Sequence, residues 1–228
     1  MTSPTIATAI ASTTAPVKYL SSLTTSTKGL RIKGVVFDMD GTLTLPLKNF
    51  IGEMRRRLNV PDKTDVLAYA ASLPEEERLQ AEKIIEDVEI EALDRVELQP
   101  GLEKLVQFLE EHDIPKAILT RNNERAVTHL LDMTGHHFDP LITRSFIPTK
   151  PHPDALFHIA QLWGFLPEEL MMVGDFGDDL ACAKGAGSVG VLMRHRANEA
   201  FIPQADLVLE RIEDLVIPLR DGFEVQRV

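Results

Sequence analysis

Short apolar runs alternate with amphipathic stretches along most of the chain. Val35–Phe37, Ile114–Leu119, Leu141–Thr143, Leu170–Val173, Val189–Met193 and Leu207–Leu209 are strand-length runs with little polar interruption. Between them lie helical patterns. Leu102, Leu105, Val106 and Leu109 share one face of residues 102–111. A helix after Asn123 runs to about Met133 and stops at Gly135. Another opens at Lys150-Pro151-His152-Pro153-Asp154 and runs through Trp163, and a third starts at Asp178-Asp179 and ends near Gly185. Strands that are apolar on both sides, separated by helices, predict a Rossmann-like α/β core: a parallel sheet covered on both faces.

Residues 48–97 break this rhythm. No β-branched run occurs there, and three helices are predicted: Asn49–Leu58, Lys63–Ala71 and a long one following Ser72-Leu73-Pro74-Glu75, which reads as a capping box. Ile84, Ile85, Val88, Ala92, Leu93 and Val96 fall on one face of the long helix, with Glu82, Glu86, Glu89 and Asp94 elsewhere. The pattern predicts a small α-helical cap inserted after the first core strand, with the core formed by residues 29–47 and 98–228.

The ends of the strands carry the chemistry. Val35–Phe37 runs into Asp38-Met39-Asp40-Gly41-Thr42. Positions i and i+2 of extended chain point to the same side, so Asp38 and Asp40 face one centre and Met39 turns away. The strand before Thr120 and the strand before Asp175 end in polar groups too, and open parallel sheets bind ligands at that edge. Asp38, Asp40, Thr120, Lys150, Asp175 and Asp179 are thereby predicted to converge. Acids so crowded need a cation to stay ionised, and an all-oxygen set suits Mg²⁺. A cation beside a lysine and a hydroxyl suits a phosphate, which binds all three.

Bulk properties narrow the class. The 228 residues are 44% hydrophobic and 26% charged, with net charge −11, which argues against a nucleic-acid partner. The lone Cys182 excludes an internal disulfide and fits a reducing compartment. No apolar run reaches the roughly 20 residues of a membrane span. Residues 1–28 hold thirteen Ser or Thr and no acid, which reads as a disordered tail in a cytoplasmic protein; a mitochondrial targeting segment is the alternative. Arg55-Arg56-Arg57 reads as a solvated helix face, Cys182 and Trp163 as core, and His136-His137 as a loop.

Taken together, the motifs resemble those of the haloacid dehalogenase superfamily of phosphohydrolases, subfamily I, with a helical type-one cap. Asp38-Met39-Asp40-Gly41-Thr42, the apolar strand ending at Thr120, Lys150 before Pro151, and Gly174-Asp175-Phe176-Gly177-Asp178-Asp179 are similar to its four motifs, in order, over about residues 32–220. Residues 149–154 also resemble a fungal branch of small members. The resemblance implies a Mg²⁺-dependent phosphatase acting on a small phosphorylated metabolite through an aspartyl-phosphate. Asp38 would be nucleophile and metal ligand. Asp40 would be general acid/base and would lend its carbonyl to the metal. Thr120 and Lys150 would bind the phosphoryl group, with Met39, Arg121 and Asn122 as further phosphate or substrate contacts. Asp175 and Asp179 would complete the metal set, although Asp178 competes with Asp179 for that place. The resemblance also implies phosphate rather than halide chemistry, because dehalogenating members lack an acid at the position of Asp40. Phe176 departs from the small hydroxyl residue of many relatives. A phosphomutase, or a catalytically quiet binding protein on the same fold, are the rival readings.

Overall fold

A computed structural model describes residues 17–23, 29–47 and 49–225. Along the chain come β1 (Val17–Leu20), β2 (Leu30–Arg31), β3 (Gly34–Phe37), α1 (Phe50–Leu58), α2 (Val66–Ser72), α3 (Glu75–Leu93), α4 (Leu102–Glu111) and β4 (Lys116–Leu119). Then follow α5 (Glu124–Thr134), β5 (Leu141–Ile142), α6 (Asp154–Trp163), β6 (Leu170–Gly174), α7 (Gly177–Ala186), β7 (Val189–Met193), β8 (Leu207–Leu209), α8 (Val216–Asp221) and β9 (Phe223–Val225).

Six strands form a parallel sheet in the order β5-β4-β3-β6-β7-β8. The first core strand, β3, is central, and every one of its residues is buried. Its side chains alternate as a strand requires. Val35 and Phe37 pack with Leu105, Leu109 and Leu130 of α4 and α5 and with Leu215 near the C-terminus. Val36 faces the other way, into Leu156, Ile159 and Ala183 of α6 and α7. Two separate apolar layers therefore clamp one sheet, which explains the uninterrupted apolar runs.

The helical cap has an apolar centre of its own. Phe50 and Met54 of α1, Val66 and Ala70 of α2, and Ala81, Ile85, Val88 and Ala92 of α3 form a cluster distinct from both layers. The chain enters and leaves this lobe through one paired crossing: Thr44 bridges Leu98, Leu45 N donates to Glu97 O at 2.8 Å, and Gln99 N donates to Leu43 O at 2.9 Å.

Three sequence expectations are corrected. Residues 1–16 and 24–28 of the expected tail lie outside the described residues, but Val17–Leu20 is a strand rather than tail. It pairs with β2 and β9, and Tyr19 is fully buried, stacked on Phe223 at 4.8 Å. Ser72 is no capping box: it ends α2, its hydroxyl donates to Tyr69 O at 2.7 Å, and Pro74 stands at the start of α3 without a side-chain cap. Glu89, expected to lie elsewhere than the apolar face of the long helix, is 6% exposed. Among the described residues, no helix is long and apolar enough to cross a membrane.

The Arg55-Arg56-Arg57 cluster is consumed locally: Arg55 bonds Pro61 O and Thr64 O, and Arg56 and Arg57 pair with Glu53 and Glu91. Cys182 is buried and its thiol donates to His152 O at 3.1 Å. Trp163, the chain's one tryptophan, donates from Nε1 to Asp139 O and lies over Gly34. A Cβ at Gly34 would stand 2.5 Å from the indole ring. Gly34→Ala is accordingly expected to lower unfolding free energy by about 1–3 kcal/mol and to shift the emission of Trp163, read by denaturant titration followed by fluorescence. A wild-type midpoint and spectrum would refute this packing.

Candidate active site

Strand register brings the site together. Phe37 lies level with Ile118 on one side and Val173 on the other, so the residues just past each strand end, Asp38, Thr120 and Asp175, meet at one edge. Asp38 N donates to Val173 O at 2.8 Å, which ties the first of them to the neighbouring strand. The turn Met39–Leu43 closes with Thr44 N donating to Met39 O at 3.1 Å, and Gly41 adopts φ 77°, a left-handed conformation that other residues pay for. Gly41 is needed for space as well. A Cβ there would fall 2.1 Å from Asp175 Oδ2. Gly174 has the same character against Asp179, at 2.2 Å from its carboxyl carbon.

Lys150 is the hub. Its Nζ donates to Asp38 Oδ1 and to Asp179 Oδ1, both at 2.6 Å, and it is 5% exposed. Burial alone would depress the ammonium, yet the charges of Asp179 and Asp38 outweigh it and hold the group well above its ordinary value. Asp179 also accepts from Phe176 N at 3.0 Å, so it is oriented by the first turn of α7. Asp178, its rival in the sequence, faces elsewhere and pairs with Arg121 at 3.0 Å.

Carboxylate oxygens of Asp38, Asp175 and Asp179 lie within 4.8 Å of one another. One ammonium stands among three acids and bonds two of them, and the imbalance shows. Burial pushes the Asp38 carboxyl well above its usual range, with Lys150 opposing and Asp179 and Asp175 adding to the rise. Burial, with Asp179 next, pushes Asp175 up to about 7. A hard divalent cation on these three carboxylates would supply the missing positive charge, so the donor set fits Mg²⁺.

Asp40 is held differently. Asn122 Nδ2 donates to Asp40 Oδ2 at 2.7 Å, while Oδ1 is buried and has no hydrogen-bond partner among the described residues. Burial raises its pKa, Asn122 and Lys150 oppose, and the Glu89 charge adds to the rise. Thr120 is 4% exposed, and its Oγ1 accepts from Asn122 N at 3.1 Å. Met39 turns its side chain into the core, with Sδ 3.7 Å from Asn122 Nδ2, so any contact with phosphate falls to its main chain. Arg121 reaches away from the acids to the cap: Nη2 donates to both oxygens of Asp65, at 2.8 and 2.7 Å.

Several residues were missed by sequence reasoning. His195 Nε2 stands 3.0 Å from Asp175 Oδ2, and burial lowers the imidazole pKa. Asn198 Nδ2 donates to Asp175 O at 2.8 Å and to Met193 O at 2.9 Å, which fixes the loop that carries the acid. Both sit in an irregular segment after β7, where no periodic pattern marks them. Arg144, just past β5, forks onto Glu89 of α3, and Asn123 Nδ2 donates to the same carboxylate at 2.6 Å. The signal for Glu89 was an acid between Val88 and Ala92 on a largely apolar helix face.

Known proteins resemble this chain in sequence and in fold. The sequence pattern of haloacid dehalogenase-like hydrolases matches residues 32–187. An uncharacterised hydrolase of Saccharomyces cerevisiae is 39% identical over 196 residues, covering 82% of this chain and 90% of its own. A phosphoglycolate phosphatase of Chromobacterium violaceum is 28% identical over 217 residues, covering 84% and 98%. A hydrolase from Pseudomonas syringae has the same fold, with a TM-score of 0.69 at 20% identity over 81% of this chain and 96% of its own. The four motifs, the fold and these relatives agree: the chain belongs to the haloacid dehalogenase-like hydrolase family.

Proposed function

We propose that the protein is a Mg²⁺-dependent phosphatase that hydrolyses a small phosphate monoester through an aspartyl-phosphate on Asp38. The observation that carries this reading is the division of labour between two carboxylates one residue apart. Asp38 is bound by a lysine, whereas Asp40 is bound by an amide and keeps one oxygen without a partner among the described residues. Environments that differ in this way assign an anion's role to one acid and a proton carrier's role to the other.

Lys150 holds Asp38 Oδ1, which leaves Oδ2 for the phosphorus. Attack forms the Asp38 O–P bond as the bond from phosphorus to the leaving oxygen breaks, and Asp40 gives its proton to that oxygen. Burial favours the protonated form of Asp40 needed for this step. In the second half, Asp40 takes a proton from water as the water oxygen attacks phosphorus, and the Asp38 O–P bond breaks to release inorganic phosphate. Thr120 and Lys150 hold the phosphoryl oxygens throughout. Asp38, Asp175 and Asp179, with the Asp40 carbonyl, would hold the cation, which supplies charge neutralisation to the phosphate oxygens.

Asp38→Asn is expected to reduce turnover of p-nitrophenyl phosphate to background with an unchanged far-ultraviolet circular dichroism spectrum; near wild-type turnover would sink the mechanism. Asn122→Ala releases Asp40 Oδ2 and is expected to lower kcat about 10- to 100-fold with little change in KM. A rise in KM at constant kcat would instead place Asn122 in substrate binding. Gly41→Ala is expected to weaken Mg²⁺ about 10- to 100-fold, because the new methyl displaces Asp175. The Mg²⁺-dependent rise in melting temperature measures this without any substrate, and an unchanged Mg²⁺ response would remove Asp175 from the metal set.

A further inference from the structure

Cations around the catalytic groups are already committed. Lys150 serves Asp38 and Asp179. Arg121 is spread over Asp65 of the cap and Asp178 of the core. Arg144 forks onto Glu89, with Nη2 3.2 Å from Oε2, and Asn123 donates a third bond to that carboxylate. Among the described residues, the pairs made by Arg121 and Arg144 set three acids, Asp65, Glu89 and Asp178, against two arginines.

The placement of Glu89 makes this excess matter. Arg121, Asn122 and Asn123 are consecutive, and they hold Asp65, Asp40 and Glu89 in turn. Glu89 thus reaches the same short loop that holds the proton donor. The leaving alcohol must lie against Asp40 to receive its proton, so it lies on the side where the cap presents Glu89. Freeing Arg144 or Arg121 to greet an anion would strand Glu89 or Asp65; Glu89 is 6% exposed, and an unpaired buried charge is strongly disfavoured.

We infer that the site selects phosphate monoesters of neutral or cationic small alcohols and discriminates against a leaving group that bears a carboxylate, with Glu89 as the specificity-determining residue. This inference rests on the phosphatase reading. It also parts this chain from the relative named for phosphoglycolate, an ester whose leaving alcohol bears such a carboxylate.

Three near-isosteric esters test it: the monophosphates of glycolate, ethylene glycol and ethanolamine, assayed with the full chain and Mg²⁺ beside p-nitrophenyl phosphate. The wild type is expected to show kcat/KM about tenfold lower for the glycolate ester than for the glycol ester, with the ethanolamine ester at least equal to the glycol ester. Glu89→Gln keeps a hydrogen-bonding side chain and is expected to narrow the glycolate gap to about threefold or less. Turnover of p-nitrophenyl phosphate together with a glycolate ester that matches or exceeds the glycol ester overturns the inference and leaves the phosphatase standing. A gap unchanged in a folded Glu89→Gln protein overturns the role of Glu89. The wild-type ratio decides the selection rule even where that variant does not fold. Absence of turnover with every ester, p-nitrophenyl phosphate included, removes both readings.

Discussion

One ammonium shared by two carboxylates underlies the site. Three aspartates cannot be buried at a strand edge on their own, since each would be driven to its neutral form. Lys150, itself enclosed, donates to two of them at 2.6 Å, and its single charge leaves the cluster acidic. The same contact joins distant parts of the chain: Asp38 ends β3, Lys150 precedes α6, and Asp179 lies in the first turn of α7. Fold and chemistry are thus coupled through a single buried cation. Breaking it would leave uncompensated charge in the interior, which is costlier than losing the attraction itself.

Around that hub, glycines keep the acids close. At Gly41 and Gly174 the neighbour that a methyl would strike is an aspartate of the acidic cluster rather than packing. The backbone at these points serves the spacing of charge. The cap adds a second polar layer made of different pairs, in which arginines past β4 and β5 meet Asp65, which caps α2, and Glu89 of α3. The active centre therefore has a floor organised by a lysine and a roof organised by arginines.

Much of this was legible in the sequence because each cue had one physical cause. The strands were readable from unbroken apolar runs, which a doubly covered sheet demands, and Val189–Met193 and Leu207–Leu209 match residue for residue. Convergence of Asp38, Thr120 and Asp175 followed from parallel strands having one ligand-binding edge. Other features had no local cue. Helical spacing puts Glu89 beside Ile85 and Ala92, but it does not tell that an acid there meets an arginine from another element, so Glu89 was set apart from the apolar face. Ser72 fits a capping pattern, but α2 extends through it and its hydroxyl is taken by Tyr69 O. Tyr19 sits in a run rich in Ser and Thr, and its burial depends on β9, some 200 residues away. His195 and Asn198 act on Asp175 from an irregular segment without a pattern.

The paired crossing at Thr44 and Leu98 has a consequence for how such a molecule can change. The whole helical lobe hangs from two adjacent strands of backbone that bond to each other before parting. The catalytic sheet closes beneath them without borrowing apolar contacts from the lobe's own centre. A lobe whose backbone enters and leaves at one such point meets the core elsewhere through side-chain pairs, Arg121 with Asp65 and Arg144 with Glu89, so any movement of the lobe has to break or carry those pairs. The backbone that gathers the aspartates and the backbone that builds the lobe thereby form separate segments of one chain.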